Sequence, residues 1–160
     1  MRATLPRVLL ALLLGASVPL AAQVGQAATL DELRERAEAG HAWSQLYLGA
    51  AYENGLNGAR KDMAAAARWY QLSAAQGIPF AQYNLAQMYA TGTGVPRDDR
   101  LAFFWFEKAA LRLAEAQYRV GVAYAEGRGT ERSPLLAREW LVKAVAGGSD
   151  NAVVYLRTLP

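Results

Sequence analysis

The sequence contains no cysteine and only one histidine, His41, in 160 residues. Without cysteine there is no thiolate nucleophile, no Cys/His dyad, no disulfide and no zinc site with plausible ligand spacing. His41 stands at the start of a helical pattern, where we expect it to cap the helix or pack against its end. We therefore predict no catalytic residue, no cofactor and no metal site, and we interpret the chain as a non-enzyme.

A strong excess of charge is also missing. Two of the 17 basic residues, Arg2 and Arg7, lie near the N-terminus, which leaves 15 basic against 14 acidic residues in the remainder. Nucleic-acid binding requires a basic surface that this balance does not provide. We expect no nucleic-acid partner.

One long apolar run is present, and it lies within residues 1–27. Two basic residues precede the run, which begins at Val8 and ends at Pro19, and small residues follow it. This order is typical of a secretory signal peptide, and the run is too short to cross about 30 Å of hydrocarbon as a helix. We predict cleavage after Ala27 or, alternatively, after Ala22. The mature protein would then be periplasmic or secreted, with no membrane anchor.

The rest of the sequence repeats with a period of 35 to 37 residues. The segments that begin at Ser44, Ala81 and Ala116 align without gaps, and four residue types recur at fixed places in them and beyond them. Independent markers that share one period indicate tandem structural repeats. The markers are Gln45, Gln82 and Gln117; Tyr52, Tyr89 and Tyr124; Gly55, Gly92 and Gly127; and Trp69, Trp105 and Trp140.

Each repeat reads as two helices joined by a short turn. The first helix ends at the recurring glycine, and the second begins after an N-cap residue, which is Asp62, Asp98 or Ser133. The glycine turns lack the strand and the lysine of a phosphate-binding loop, so we interpret them as helix C-caps. We predict eight helices in a domain that spans residues 28–160. Hairpins occupy 41–77, 78–113 and 114–148, and capping helices occupy 30–39 and 149–159.

The repeat pattern is Ala-Gln-x-x-Leu-Gly-x-x-Tyr-x-x-Gly-x-Gly-Val, followed by Asp-x-x-x-Ala-x-x-Trp-x-x-x-Ala-Ala. It resembles the Sel-one-like repeat (SLR) family, most fully in the middle repeat from Ala81 to Ala110, where Ala86 replaces a glycine. That family is similar to tetratricopeptide repeats. The resemblance implies an all-α fold, an α-α superhelix or solenoid, and a role as an adaptor, often in the bacterial cell envelope.

The resemblance also implies that the first helices line the concave side of the solenoid. Positions two, five and nine residues after each repeated glutamine differ between repeats and fall on one helical face. We call this face the stripe, and aromatic residues two positions before Gln45 and Gln82 extend it. For any single member, a plain solvated face is the alternative interpretation. The predicted partner-binding groove contains Trp43, Tyr47, Asn54, Phe80, Asn84, Gln87, Arg119, Val122 and Glu126, with Ala50 and Thr91 in the same stripe.

From these observations we expect an exported, non-catalytic protein–protein interaction module, monomeric by itself. It would serve as a periplasmic scaffold, adaptor or regulator of cell-envelope machinery. One alternative is a periplasmic immunity protein that neutralises a secreted toxin. A second alternative is a peptidoglycan-binding module or a small enzyme.

Overall fold

The computed structural model describes residues 29–159, so the predicted signal peptide lies outside the described residues. Within residues 29–159 all the regular structure is helical, and the eight predicted helices are present. No helix in this part of the chain is long and apolar enough to cross a membrane. The helices are α1 Leu30–Glu38, α2 Ala42–Asn54, α3 Met63–Ala75, α4 Pro79–Thr91, α5 Asp99–Ala110, α6 Ala114–Glu126, α7 Pro134–Ala146 and α8 Asp150–Leu156.

The second helix of each hairpin begins at the predicted N-cap. The Asp62 carboxylate accepts a hydrogen bond from the Ala65 backbone N–H at 2.9 Å, and the side chains of Asp98 and Ser133 cap α5 and α7 in the same way. Each cap satisfies a backbone donor that has no partner inside the helix. The predicted starts of the second helices are confirmed.

The first helix of each hairpin ends at the recurring glycine. Gly55, Gly92 and Gly127 have φ values of 68°, 74° and 71°, the left-handed conformation that glycine adopts without a steric penalty. Each glycine N–H donates to a carbonyl of the last helical turn. The interpretation of these turns as helix C-caps is therefore confirmed.

Consecutive helices pack against one another along the chain, from α1 on α2 to α7 on α8. The core is a row of apolar clusters between neighbouring hairpins. One cluster joins α2, α3 and α4 through Leu46, Tyr70 and Leu85, and the next joins α4, α5 and α6 through residues such as Phe106 and Val120. This row of local clusters, one per junction, is the architecture of an α-solenoid.

The recurring glutamine joins each repeat to the helix before it. The side-chain amides of Gln45, Gln82 and Gln117 donate to the carbonyls of Ala37, Ala74 and Ala110 at 3.1, 3.2 and 2.9 Å. The accepting carbonyl lies in each case near the C-terminus of a second helix, where it has no partner within that helix. The first of these bonds ends on α1, so α1 occupies the place of a second helix, as its sequence predicts.

The recurring tryptophans are packing residues that remain half-buried. Trp69 contacts the cluster that includes Leu33 and Leu48, and Trp105 and Trp140 contact the cluster around Phe106. Their rings fill space between hairpins, as expected from their recurrence.

Candidate partner-binding groove

The predicted groove has an aromatic end, which lies on α2 and α4. The Trp43 ring centroid lies 6.3 Å from that of Tyr47 and 6.5 Å from that of Phe80. Trp43 is 41% exposed, whereas Tyr47 and Phe80 are half-buried. Burial raises the pKa of the Tyr47 hydroxyl. The structure thus brings three predicted site residues from two repeats into one partly exposed aromatic patch.

The aromatic patch does not continue into the third repeat. Glu115 occupies the position that Trp43 and Phe80 hold in the earlier repeats. Its carboxylate accepts hydrogen bonds from the Ser149 hydroxyl at 3.2 Å and from the Asn151 amide. Sequence reasoning missed Glu115, although its place in the repeat marks the point at which the groove changes from aromatic to charged.

The centre of the groove contains an internal hydrogen-bond network. The Tyr70 hydroxyl of α3 donates to the Glu53 carboxylate at 2.5 Å, and Asn84 forms a hydrogen bond to the same hydroxyl. Burial, and then the Glu53 charge, raise the pKa of Tyr70, and the Asn84 hydrogen bond opposes that rise. Asn84 therefore supports the scaffold as well as facing the groove. Gln87, one turn further along α4, is half-exposed.

The charged end of the groove is built around Arg119 on α6. Its Nε lies 3.6 Å from a Glu115 carboxylate oxygen, and its guanidinium carbon lies 5.6 Å from the centroid of the Tyr118 ring. Burial raises the pKa of Tyr83, and a hydrogen bond from Arg119 opposes that rise. The Nε atom is buried and has no hydrogen-bond partner among residues 29–159. Arg119 thus lies between α4 and α6, with its side chain 41% exposed.

Glu126 completes this end, one turn beyond the half-buried Val122. The Tyr155 hydroxyl of α8 donates to its carboxylate at 3.2 Å, and Arg128 forms an ion pair with it. A contact from α6 to α8 means that the stripe on one first helix faces the next first helix.

The remaining polar members of the stripe bond to their own helices. The Asn54 amide donates to the Ala50 carbonyl at 3.0 Å, and the Thr91 hydroxyl donates to the Gln87 carbonyl at 2.9 Å. Both side chains are exposed, but a partner has to compete with these bonds. The aromatic patch and the Arg119 end are therefore the stronger candidates for contact.

His41 is the N-cap residue of α2, and it caps the helix through its backbone. Its carbonyl accepts from the Gln45 N–H at 3.0 Å, while its exposed side chain forms no capping hydrogen bond. No group of three or more potential metal ligands occurs within residues 29–159.

The family model described as Sel1 repeat matches residues 44–78, 79–112 and 114–149. The chain belongs to the Sel1 repeat family. These matches include all three repeated glutamines and the three glycines at which the first helices end. Sel1 repeats generally mediate protein–protein interaction, and their fold is typically a non-catalytic scaffold.

Two solved structures resemble this Sel1 repeat chain. The crystal structure of a Sel1 repeat protein from Oxalobacter formigenes is 38% identical, with a TM-score of 0.73 over 81% of this chain and 97% of that one. The c5321 protein, a protective antigen of uropathogenic Escherichia coli with an SLR fold, is 37% identical with a TM-score of 0.74. The second match covers 79% of this chain but 27% of the antigen, so this chain spans about a quarter of that protein's length.

Proposed function

We propose that this chain is an exported, non-catalytic adaptor that holds a protein partner in the concave groove of α2, α4 and α6. The observation that carries the proposal is the aromatic patch of Trp43, Tyr47 and Phe80. Tyr47 and Phe80 also pack against the core of the first two repeats, whereas Trp43 is 41% exposed and belongs to no core cluster of the described residues. Large, partly exposed aromatic side chains on a binding face dominate the energies of many interfaces.

Binding would use a surface that is already formed. The groove residues lie on helices that pack in a continuous solenoid, so little conformational entropy is lost when a partner docks. The aromatic end would receive an apolar side chain of the partner. Arg119 and Glu126 at the other end would orient the partner through charge. A charged group of the partner would have to compete with the ion pairs and hydrogen bonds that each of them already forms.

Affinity capture from periplasmic extract, followed by mass spectrometry, tests the proposal with a matched pair of variants. Trp43→Glu places a charge in the aromatic patch, whereas Phe104→Glu changes an aromatic residue of α5 with a similar exposure of 45%. We expect the wild-type protein and Phe104→Glu to retain the same stoichiometric partner, and Trp43→Glu to lose it. Equal retention by both variants, with unchanged melting temperatures, would place the binding surface elsewhere.

The partner's identity separates two roles for the same groove. An envelope enzyme or assembly protein would make the chain a scaffold or regulator, and a secreted toxin would make it an immunity protein. The export part of the proposal rests on residues 1–27. Cell fractionation with mass analysis of the mature N-terminus tests it, and we expect a periplasmic species that begins after Ala27 or Ala22.

A further inference from the structure

The outer side of α5 carries large apolar side chains that belong to no core cluster of residues 29–159. Leu101, Phe104 and Leu111 are 39%, 45% and 76% exposed. They are spaced three and seven residues apart, so they lie on one side of the helix, and Leu111 continues the helical turn as the C-cap residue. The hairpin of α2 and α3 precedes this repeat and the hairpin of α6 and α7 follows it, so the exposure does not arise from the ends of the described chain.

The equivalent places on α3 and α7 have other side chains. Counted from the recurring tryptophan, Phe104 corresponds to Arg68 of α3 and to Glu139 of α7, and alanine stands at the place of Leu111 in both helices. The packing of the solenoid therefore does not account for an exposed aromatic ring and leucine on α5. A contact outside the chain would account for them.

The second helices are also the basic side of each hairpin. Helices α3, α5 and α7 carry five basic and three acidic residues, whereas α2, α4 and α6 carry one basic and three acidic residues. On α5 the exposed Arg100 and Lys108 lie four residues before and four residues after Phe104, so they share its side of the helix. The exposed Arg112 follows directly after α5.

The cations beside the apolar side chains are available to a ligand. The side chains of Arg68, Arg100 and Arg112 form no hydrogen bond or ion pair with any other residue of 29–159. The Lys108 Nζ lies 5.4 Å from the centroid of the Phe104 ring, a cation–π contact that leaves the ammonium exposed.

The acidic residues of α5 offset these cations only in part. Asp99 already forms an ion pair with Arg97 at 2.9 Å, and Glu107 is half-buried. Glu139 on α7 is exposed. The surface around Phe104 is therefore an apolar strip with unpaired positive charge on both sides.

We propose that this surface, which we call the α5 face and which comprises Arg100, Leu101, Phe104, Lys108 and Leu111, binds the surface of a membrane that contains anionic lipids. The three apolar side chains would enter the boundary between headgroups and acyl chains, while the cations would meet lipid phosphates. The α5 face lies on a second helix and the groove lies on the first helices, so the inference goes beyond the proposed function.

The dimensions and the charge of the α5 face favour a membrane over a protein partner. Its apolar side chains form a single strip that is about 15 Å long on one helix. A specific protein interface buries about 800 Å² on each partner around a close-packed apolar centre. An interfacial helix needs only an apolar strip beside cations, because a lipid surface offers phosphates to long, flexible side chains in many positions.

Vesicle co-sedimentation tests the proposal with the protein in the form that occurs in cells, its N-terminus established by mass analysis. One set of vesicles contains phosphatidylcholine alone, and the other contains about 30% phosphatidylglycerol. We expect saturable binding to the anionic vesicles and about tenfold weaker binding to the neutral vesicles. Binding should also fall at high salt, because salt screens the lipid charge.

Variants of the protein locate the binding surface. Leu111→Glu should abolish vesicle binding, and Val154→Glu, which changes a 64% exposed residue of α8, is the matched control that should leave it unchanged. Arg100→Gln should weaken binding about fivefold, the effect of one cation near an anionic surface. Arg157→Gln makes the same charge change directly after α8 and should have little effect. Circular dichroism and melting temperature establish that each variant is folded, which exposed positions should permit.

Three outcomes would overturn the proposal. These are equal binding to neutral and anionic vesicles, binding that Leu111→Glu does not alter, and no saturable binding at millimolar lipid. A soluble acidic protein that the wild-type chain captures and Leu111→Glu loses, without vesicle binding, would assign the α5 face to a protein and would also overturn the proposal. Because the vesicles contain lipid alone, none of these outcomes decides whether the groove binds a protein.

Discussion

Gly49 lies directly against the ring of Tyr70. A Cβ built on Gly49 would lie 2.7 Å from Cδ1 of that ring, which is shorter than van der Waals contact allows. The same place in the third repeat is Gly121, where a Cβ would lie 2.7 Å from Cγ of Leu141. A small residue at this point lets the two helices of a hairpin approach each other, and this explains part of the repeat pattern.

Gly49→Ala should therefore destabilise the protein despite the higher helix propensity of alanine. Overpacking against Tyr70 should lower the free energy of unfolding by about 1 to 3 kcal/mol, measured by urea denaturation. Ala64→Ser adds one heavy atom at an exposed helical position and is the control, with an expected change below about 0.5 kcal/mol. A stabilised Gly49→Ala protein would show that the hairpin does not need this close approach.

Gln82→Ala should weaken the junction between the first and second repeats. The change removes the side-chain donor that lies 3.2 Å from the Ala74 carbonyl, which keeps its hydrogen bond from the Gly77 N–H, so the cost is about 1 kcal/mol in unfolding free energy. Gln82→Glu should cost more, because a carboxylate repels that carbonyl. The control is Gln71→Ala, an exposed position of α3. Equal effects of Gln71→Ala and Gln82→Ala would contradict the role of the recurring glutamine.

Gly129→Ala should be far more damaging than Gly77→Ala, although both glycines have positive φ, of 71° and 85°. Alanine at Gly77 meets no atom within 4 Å, so it should cost only the left-handed backbone strain, about 1 to 2 kcal/mol. Alanine at Gly129 adds a clash with the Asp99 carbonyl and should cost about 3 kcal/mol or more. Thermal denaturation of the two variants distinguishes the cost of backbone strain from the cost of the steric clash. Similar melting temperatures would contradict the close packing of Gly129 on the Asp99 carbonyl.

The stability of the protein should fall above about pH 10, in part because of Tyr70. Burial and the nearby Glu53 raise the pKa of Tyr70 in the folded chain. The unfolded chain therefore releases this proton first, so the contribution of Tyr70 is complete below about pH 10 and is lost as the pH rises. Tyr70→Phe should cost about 1 kcal/mol at pH 7, through the lost hydrogen bond, and should make the alkaline decline shallower. An unchanged slope would contradict a raised pKa.

Most of the fold could be predicted because the same helix-capping residues occur in all three repeats. Asp62 and Gly55 act within a few residues of their own position, and their equivalents mark the same helix ends in every repeat. Recurrence alone did not reveal why the glutamine repeats. Its partner is a carbonyl seven or eight residues earlier, at the end of the previous helix, and only the packed structure shows that contact.

The groove was less predictable, because its contacts come from residues that do not repeat. Helical spacing predicts that Asn84 and Arg119 lie on one face. It does not predict the hydrogen bonds that these residues form to Tyr70 and Tyr83. The length of α8 was also hard to foresee. The sequence pattern predicted a helix over 149–159, whereas α8 begins at Asp150 and ends at Leu156.

Site-specific photo-crosslinking tests the concave groove most directly. A photoreactive benzoylphenylalanine would replace Gln87 at the centre of the groove or, as the control, the exposed Leu101 on α5. Irradiation in living cells, followed by mass spectrometry, identifies what each position touches. We expect one discrete protein adduct from position 87 and none from position 101. Adducts from position 101 alone would contradict it and would move the binding surface to the second helices.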